Sequence, residues 1–251
     1  MKTYQLVFSP TGGTEKAAAA ITKNWPQVRT IDLSLPDTDY SSISIEPDAL
    51  VLVAMPCFGG VAPQLALDRF ARIKGNGVTC VLAAVYGNRA YENTLVQMQD
   101  TAQAAGFQVI AAVSAVAEHS IIHQYAAGRP NAEDREELAR FGTKILEKAE
   151  SGSTETLVIP GKRPYKTSGG GMVPTANARC TGCGLCAQKC PAQAISPERC
   201  KTTEKSKCIG CMRCVSICPV HARNVNRLMV SIASLAIKKA CSTPKANELF
   251  L

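Results

Sequence analysis

Along the first 150 residues, short runs of Val, Ile and Leu alternate with stretches in which apolar residues return every three or four positions. The runs at 4–8, 28–33, 50–54, 78–85 and 107–113 predict strands, and the stretches at 14–24, 63–73, 91–105 and 131–150 predict helices. The strand runs lack a strict apolar/polar alternation, which suits a sheet covered on both faces. Strand and helix in regular succession predict an α/β fold, a doubly wound five-stranded parallel sheet. Past residue 150 the pattern dissolves into Ser, Thr, Gly and Pro, including Gly169-Gly170-Gly171. That composition predicts a linker. Residues 226–240 then place Leu228, Met229, Ile232, Leu235 and Ala236 on one helical face, with Lys238 and Lys239 near the end. A terminal helix docked through that face is the expectation; a membrane-surface helix is disfavoured because the polar face is Ser and Ala. The expected organisation is a domain over 1–152, a linker over 153–175, a small α+β domain over 176–225 and a helical tail over 226–251.

Charge and cysteine divide the chain in the same place. The first 150 residues hold 13 Lys+Arg against 16 Asp+Glu, and the remainder holds 15 against 4. Two of the twelve cysteines, Cys57 and Cys80, lie in the first part, and ten lie between Cys180 and Cys241. The opening residues run straight into strand pattern, and no apolar stretch is long enough to span a bilayer. A cytoplasmic location follows as an expectation, one in which cysteines serve metals or catalysis rather than disulfides.

Eight of the ten late cysteines are ordered. Cys180-x2-Cys183-x2-Cys186-x3-Cys190-Pro191 is followed by Cys208-x2-Cys211-x2-Cys214-x3-Cys218-Pro219. Three thiolates two residues apart suit three corners of an iron–sulfur cube, and their soft sulfurs match its metal. Structural zinc, the alternative, prefers two pairs of ligands with a longer gap. Residues 176–225 resemble the bacterial two-cluster ferredoxins. That resemblance implies two [4Fe–4S] clusters with crossed ligation: Cys180, Cys183, Cys186 and Cys218 on one, and Cys208, Cys211, Cys214 and Cys190 on the other. The segment departs from such ferredoxins in being basic. Cys200, between the repeats, has no place in the motif.

After the first predicted strand comes Ser9-Pro10-Thr11-Gly12-Gly13-Thr14, opening into a helix. Hydroxyls and glycine N–H groups at a helix N-terminus form an anion site, although a plain helix cap would also read this way. It is neither a Walker loop nor a dinucleotide fingerprint. The segment is similar to the Thr-x-Thr-Gly-x-Thr phosphate loop of flavodoxins, with Ser9 in place of the first threonine. That resemblance implies FMN outside the carboxyl ends of the strands. Two further loops fall there, one with Pro56, Cys57, Phe58, Gly59 and Gly60, the other with Tyr86, Gly87, Asn88, Arg89 and Tyr91. Each combines glycine for close approach with an aromatic ring for a flavin face. Trp25 is misplaced for that task, and His119 reads more readily as a satisfied surface residue than as a flavin neighbour.

The whole chain resembles the flavodoxin–ferredoxin fusion proteins of anaerobic microbes. The implied function is a relay or converter between two-electron and one-electron carriers. An FMN-dependent reductase and a flavin-free docking module are the alternatives. The basic charge of the second part points to an acidic redox partner, such as an acidic ferredoxin, with solubility and charge compensation of the clusters as the alternative; no basic motif interleaved with aromatics points to nucleic acid.

Overall fold

The computed structural model describes residues 1–152, 157–168 and 171–251. The predicted linker therefore lies partly outside the described residues, and of its triple glycine only Gly171 is inside. In chain order the elements are β1 (Thr3–Val7), α1 (Gly13–Ile21), β2 (Arg29–Asp32), β3 (Leu50–Pro56), α2 (Gln64–Phe70), β4 (Thr79–Tyr86), α3 (Thr94–Ala104), β5 (Gln108–Val116) and α4 (Ala132–Ser151). The second half adds β6 (Thr175–Ala176), α5 (Leu185–Gln188), α6 (Arg213–Ser216), β7 (Arg223–Asn224), α7 (Arg227–Cys241) and β8 (Glu248–Phe250).

The main sheet runs β2-β1-β3-β4-β5-β8, parallel through β5, with β8 antiparallel at the edge. The order 2-1-3-4-5 is that of the flavodoxin-like sheets. Successive side chains of a strand point to opposite faces, and the core divides accordingly. Leu6, Val51, Val53, Leu82 and Ala84 meet Phe70 of α2 and Met98 of α3 on one face. Val7, Leu52, Ala54, Ala83 and Val113 meet Ile21 of α1 and Leu138 and Ile145 of α4 on the other. Both faces are covered, which is why these strands read as apolar runs. At Gly142, α4 crosses α1 so closely that a Cβ would lie 1.8 Å from the Ile21 carbonyl oxygen. Trp25 is buried there and donates its indole N–H to the Gly142 carbonyl at 2.9 Å.

The last 25 residues differ from the expected helical tail. Helix α7 ends at Cys241 and the chain returns to the main sheet as β8. There it closes the edge that β5 would otherwise expose. Its anchors are side chains: Asn88 donates to the carbonyls of Cys241 (2.9 Å) and Thr243 (3.0 Å), and Asn247 accepts from the Val116 N–H at 2.9 Å. The predicted docking face of α7 is also reversed. Leu228, Ile232 and Leu235 are 69%, 59% and 71% exposed. Val230, Ala233, Ile237 and Cys241 pack instead on Ile121, Ile122 and Tyr125. The helix carries two apolar stripes, and the smaller side chains fit this contact. Among the described residues, no helix is long and apolar enough to cross a membrane.

Asp134 holds the tail to α4. Its carboxylate, 5% exposed, accepts from the Arg129 guanidinium and from Asn247 (3.1 Å), and forms a capping box with Asn131. The Arg129 hydrogen bond holds the Asp134 pKa down at about 2, against the opposing effect of burial. This lies below the ordinary value of about 3.9, so the stabilisation is full above about pH 4 and is lost as pH falls through about 2. Asp134→Asn leaves Arg129 without its counter-charge and should cost about 3 kcal/mol at pH 7. Urea unfolding of the cluster-free chain checks this: the gap between variant and wild type should narrow as pH drops below about 4.

Candidate cofactor sites

A cavity of about 520 Å³ opens at the carboxyl ends of β1, β3, β4 and β5. This is the position of ligand sites in doubly wound sheets, and the volume suits a cofactor-sized molecule. From the predicted loops, Thr11, Gly13, Thr14, Pro56, Cys57, Phe58, Gly59, Tyr86 and Gly87 line it. The Thr11 and Thr14 hydroxyls make no protein hydrogen bond among the described residues. They stand at the N-terminus of α1, whose dipole favours an anion.

The other predicted residues have different surroundings. The Ser9 hydroxyl accepts from the Glu15 N–H at 2.9 Å and so caps α1. Gly12 precedes the helix with φ 88°, a conformation that favours glycine. Gly60 donates its N–H to the Cys57 sulfur at 3.2 Å. Asn88 is committed to the tail, and Arg89 pairs with Glu92 at 2.5 Å. Tyr91 packs edge-on against Tyr86, with centroids 5.4 Å apart, and donates to Glu248 at 2.8 Å. Burial pushes the Cys57 thiol up, which keeps it protonated at neutral pH.

The loop after β5 adds Glu118, His119, Ser120 and Ile121 to the wall. His119 is half-buried, and its Nδ1 accepts the N–H groups of Ile121 (3.1 Å) and Ile122 (3.2 Å). Burial also holds its pKa below the ordinary value, so the neutral ring carries its proton on Nε2. A Cβ on Gly87 would lie 2.7 Å from that of His119, so this close approach of the two loops needs glycine.

In the cysteine-rich domain the sequence repeat is also a backbone repeat. Gly182 and Gly210 have φ 76° and 64°; Gly184 and Met212 have 75° and 62°; Gln193 and His221 have 48° and 47°. The sulfur of Cys190 accepts from the Ala194 N–H (3.3 Å), and that of Cys218 accepts from Ala222 (3.2 Å). Cys190, Cys208, Cys211 and Cys214 line one narrow interior cavity with Ala194, Ile195 and Met212. Burial pushes the Cys211 and Cys214 thiols up to about 12 and about 11. At Cys218 burial is outweighed by the N–H groups of Ala222, Arg223 and Val220, which hold the thiol below its ordinary value. Of the other quartet, Cys180 and Cys186 pack against Cys190 and Cys200 in one small cluster, and Cys183 is exposed. Among the described residues no three His, Cys, Asp or Glu side chains converge as around a single metal ion. Soft thiols around an interior space fit a cube better than one ion.

The two sites share a wall. Ile209, Gly210 and Cys211 line the strand-end cavity together with Lys166, Thr167 and Gly171, and Cys211 lines the thiol cavity as well. A Cβ on Gly210 would meet Gly171 Cα at 2.9 Å, and Gly210 itself has φ 64°, so this junction relies on glycine. Arg69, 7% exposed, donates to the carbonyls of Leu33 (2.7 Å) and Pro191 (2.6 Å), joining the domains beside Cys190. The sequence carries no signal for Arg69 or Ile209, because their role is a contact between distant segments.

A family model for the 4Fe-4S binding domain matches residues 177–196 and 202–224. No curated protein matches the chain. Among solved structures, a flavodoxin from the domain Archaea is 17% identical, covering 60% of this chain and 99% of its own, with a TM-score of 0.44. A short-chain flavodoxin associated with a non-canonical PDU bacterial microcompartment is 20% identical over 59% of this chain and 99% of its own, at 0.43. The two-electron reduced Megasphaera elsdenii flavodoxin is 19% identical over 57% and 98%, at 0.38.

Proposed function

We propose that this chain, which joins a flavodoxin-like sheet to a 4Fe-4S binding domain, transfers electrons between FMN in the strand-end cavity and two [4Fe–4S] clusters. The observation that carries this reading is Cys211, whose residue borders both cavities. On this reading the cluster held by Cys190, Cys208, Cys211 and Cys214 is the flavin's neighbour, and the cluster held by Cys180, Cys183, Cys186 and Cys218 is the second carrier. Bound FMN exchanges one or two electrons whereas each cluster exchanges one, so their union converts between the two kinds of carrier. For the chain's part, Thr11, Thr14 and the start of α1 bind the phosphate, and Phe58 and Tyr86 flank the ring. The test is anaerobic reconstitution with iron and flavin quantitation, followed by flash reduction of the flavin. About eight irons and one FMN per chain are expected, with flavin oxidation matched in time by cluster reduction. Iron without flavin would leave the docking reading standing instead.

The surface favours an acidic redox partner. Lys201, Lys205 and Lys207 are exposed, Lys207 in an ion pair with Glu204 at 2.7 Å. Against the net charge of +11 after residue 150, two oxidised clusters at about −2 each leave about +7. Stopped-flow reduction by an acidic ferredoxin should slow steeply as salt rises through about 0.1 M, where the screening length is about 10 Å. Changing the three lysines to Gln should slow it at low salt. A salt-independent rate would remove docking from this face.

A further inference from the structure

Arg223 is 3% exposed, and among the described residues it has no carboxylate partner. Its Nη1 donates to the Cys200 carbonyl at 2.6 Å and lies 3.9 Å from the Cys186 sulfur. Its Nη2 donates to the Pro174 carbonyl at 3.1 Å and to the Thr203 hydroxyl, while Nε has no partner. Cys186 and Cys200 belong to one small packed cluster that also takes in Cys190, Cys208 and Cys214 of the other quartet. A buried cation among neutral acceptors is strongly unfavourable unless a negative charge stands nearby. With thiolates on iron, each quartet carries about −2 when oxidised and one charge more when reduced. Arg223 is therefore a cation set against a packed group of thiols from both quartets, whose charge becomes more negative on reduction.

We propose that the Arg223 guanidinium is a buried counter-cation shared by both clusters, and that it raises the reduction potential of each. This rests on the two-cluster reading above. A fixed positive charge and N–H···S contacts both favour the reduced, more negative core, and the low dielectric of the site amplifies them. A purely structural Arg223 would clamp Pro174 and Cys200 without moving either potential.

The experiment is an EPR-monitored redox titration of the anaerobically reconstituted chain, comparing wild type, Arg223→Gln and Arg223→Lys. The Gln variant should shift the reduction equilibrium of both clusters at least tenfold toward the oxidised form, equal to 59 mV for one electron. The Lys variant, which keeps the charge, should lose less than half of that. Where Gln does not load its clusters, wild type carrying 15N only in the arginine guanidinium is examined by pulsed EPR. A 15N coupling on both reduced signals, lost in Arg223→Lys, supports the proposal, and its absence from either signal overturns it. About eight irons with only one potential moved, or none, overturns the proposal alone. A wild type that does not hold about eight irons overturns the two-cluster reading and the proposal with it.

Discussion

Cys190→Ala should remove one cluster and spare the other, lowering iron from about eight to about four per chain. The thiol lost belongs by sequence to the first repeat, but it lines the cavity of Cys208, Cys211 and Cys214 from the second. Alanine supplies no ligand, and Cys200, a thiol outside the motif, packs in the same small cluster as Cys190 and Cys186. Because Cys211 also borders the strand-end cavity, the cluster removed is, on the proposed function, the flavin's neighbour. Photoreduced FMN should then stop passing electrons to the remaining cluster, although that cluster is intact. Iron analysis, EPR after dithionite reduction and flash kinetics check the three parts of this expectation. Loss of the cluster on Cys180, Cys183 and Cys186 in the Cys190 variant would sink the crossed assignment. Cys218→Ala is the complement, and should spare electron transfer from flavin to its neighbouring cluster.

Thr14→Ala should weaken FMN roughly tenfold to a hundredfold and leave both clusters in place. Thr14 lines the cavity at the start of α1 and its hydroxyl makes no protein hydrogen bond among the described residues, so its expected partner is the phosphate. A hydrogen bond to a charged group contributes about 1.5–3 kcal/mol, and each 1.4 kcal/mol is a factor of ten in affinity. Thr11→Ala should act in the same direction. Ser9→Ala should act on the helix instead, since that hydroxyl caps the Glu15 N–H, and should cost about 1 kcal/mol of stability. Fluorescence titration of the flavin-free chain separates these effects. Unchanged FMN affinity in both threonine variants would end the phosphate reading of this loop.

Periodicity was sufficient for the sheet because its cause is local. Each of β3, β4 and β5 is covered on both faces, so almost every residue is apolar whichever way it points. Cysteine spacing was equally informative about metal chemistry, since ligands two residues apart in one loop need no knowledge of the rest of the fold. The loops with Thr11, Thr14, Phe58 and Tyr86 were legible for a related reason: they follow strands, and strand ends in a parallel sheet share one edge. Within those loops the sequence did not separate the lining residues from their supports. Asn88 and Tyr91 carry the same polar and aromatic signal as their neighbours, yet Asn88 holds residues 241–245 and Tyr91 holds Glu248.

What only the tertiary structure decided are contacts between segments far apart in the chain. Residues 248–250 were read as the end of a helical tail, but three residues have too little pattern to specify a strand, and the open edge of β5 supplies their partner. Helix α7 has apolar side chains on two stripes, and composition does not say which one docks; the space over Ile122 and Tyr125 admits Val230 and Ala233. Arg69 and Arg223 look like surface cations in a basic chain, yet both are buried beside the cysteines. Their positions follow from carbonyl groups and sulfurs brought in by other elements, and long-range convergence of that kind leaves no spacing in the sequence. The residue types decided which chemistry is available, and packing decided which groups stand close enough to share it.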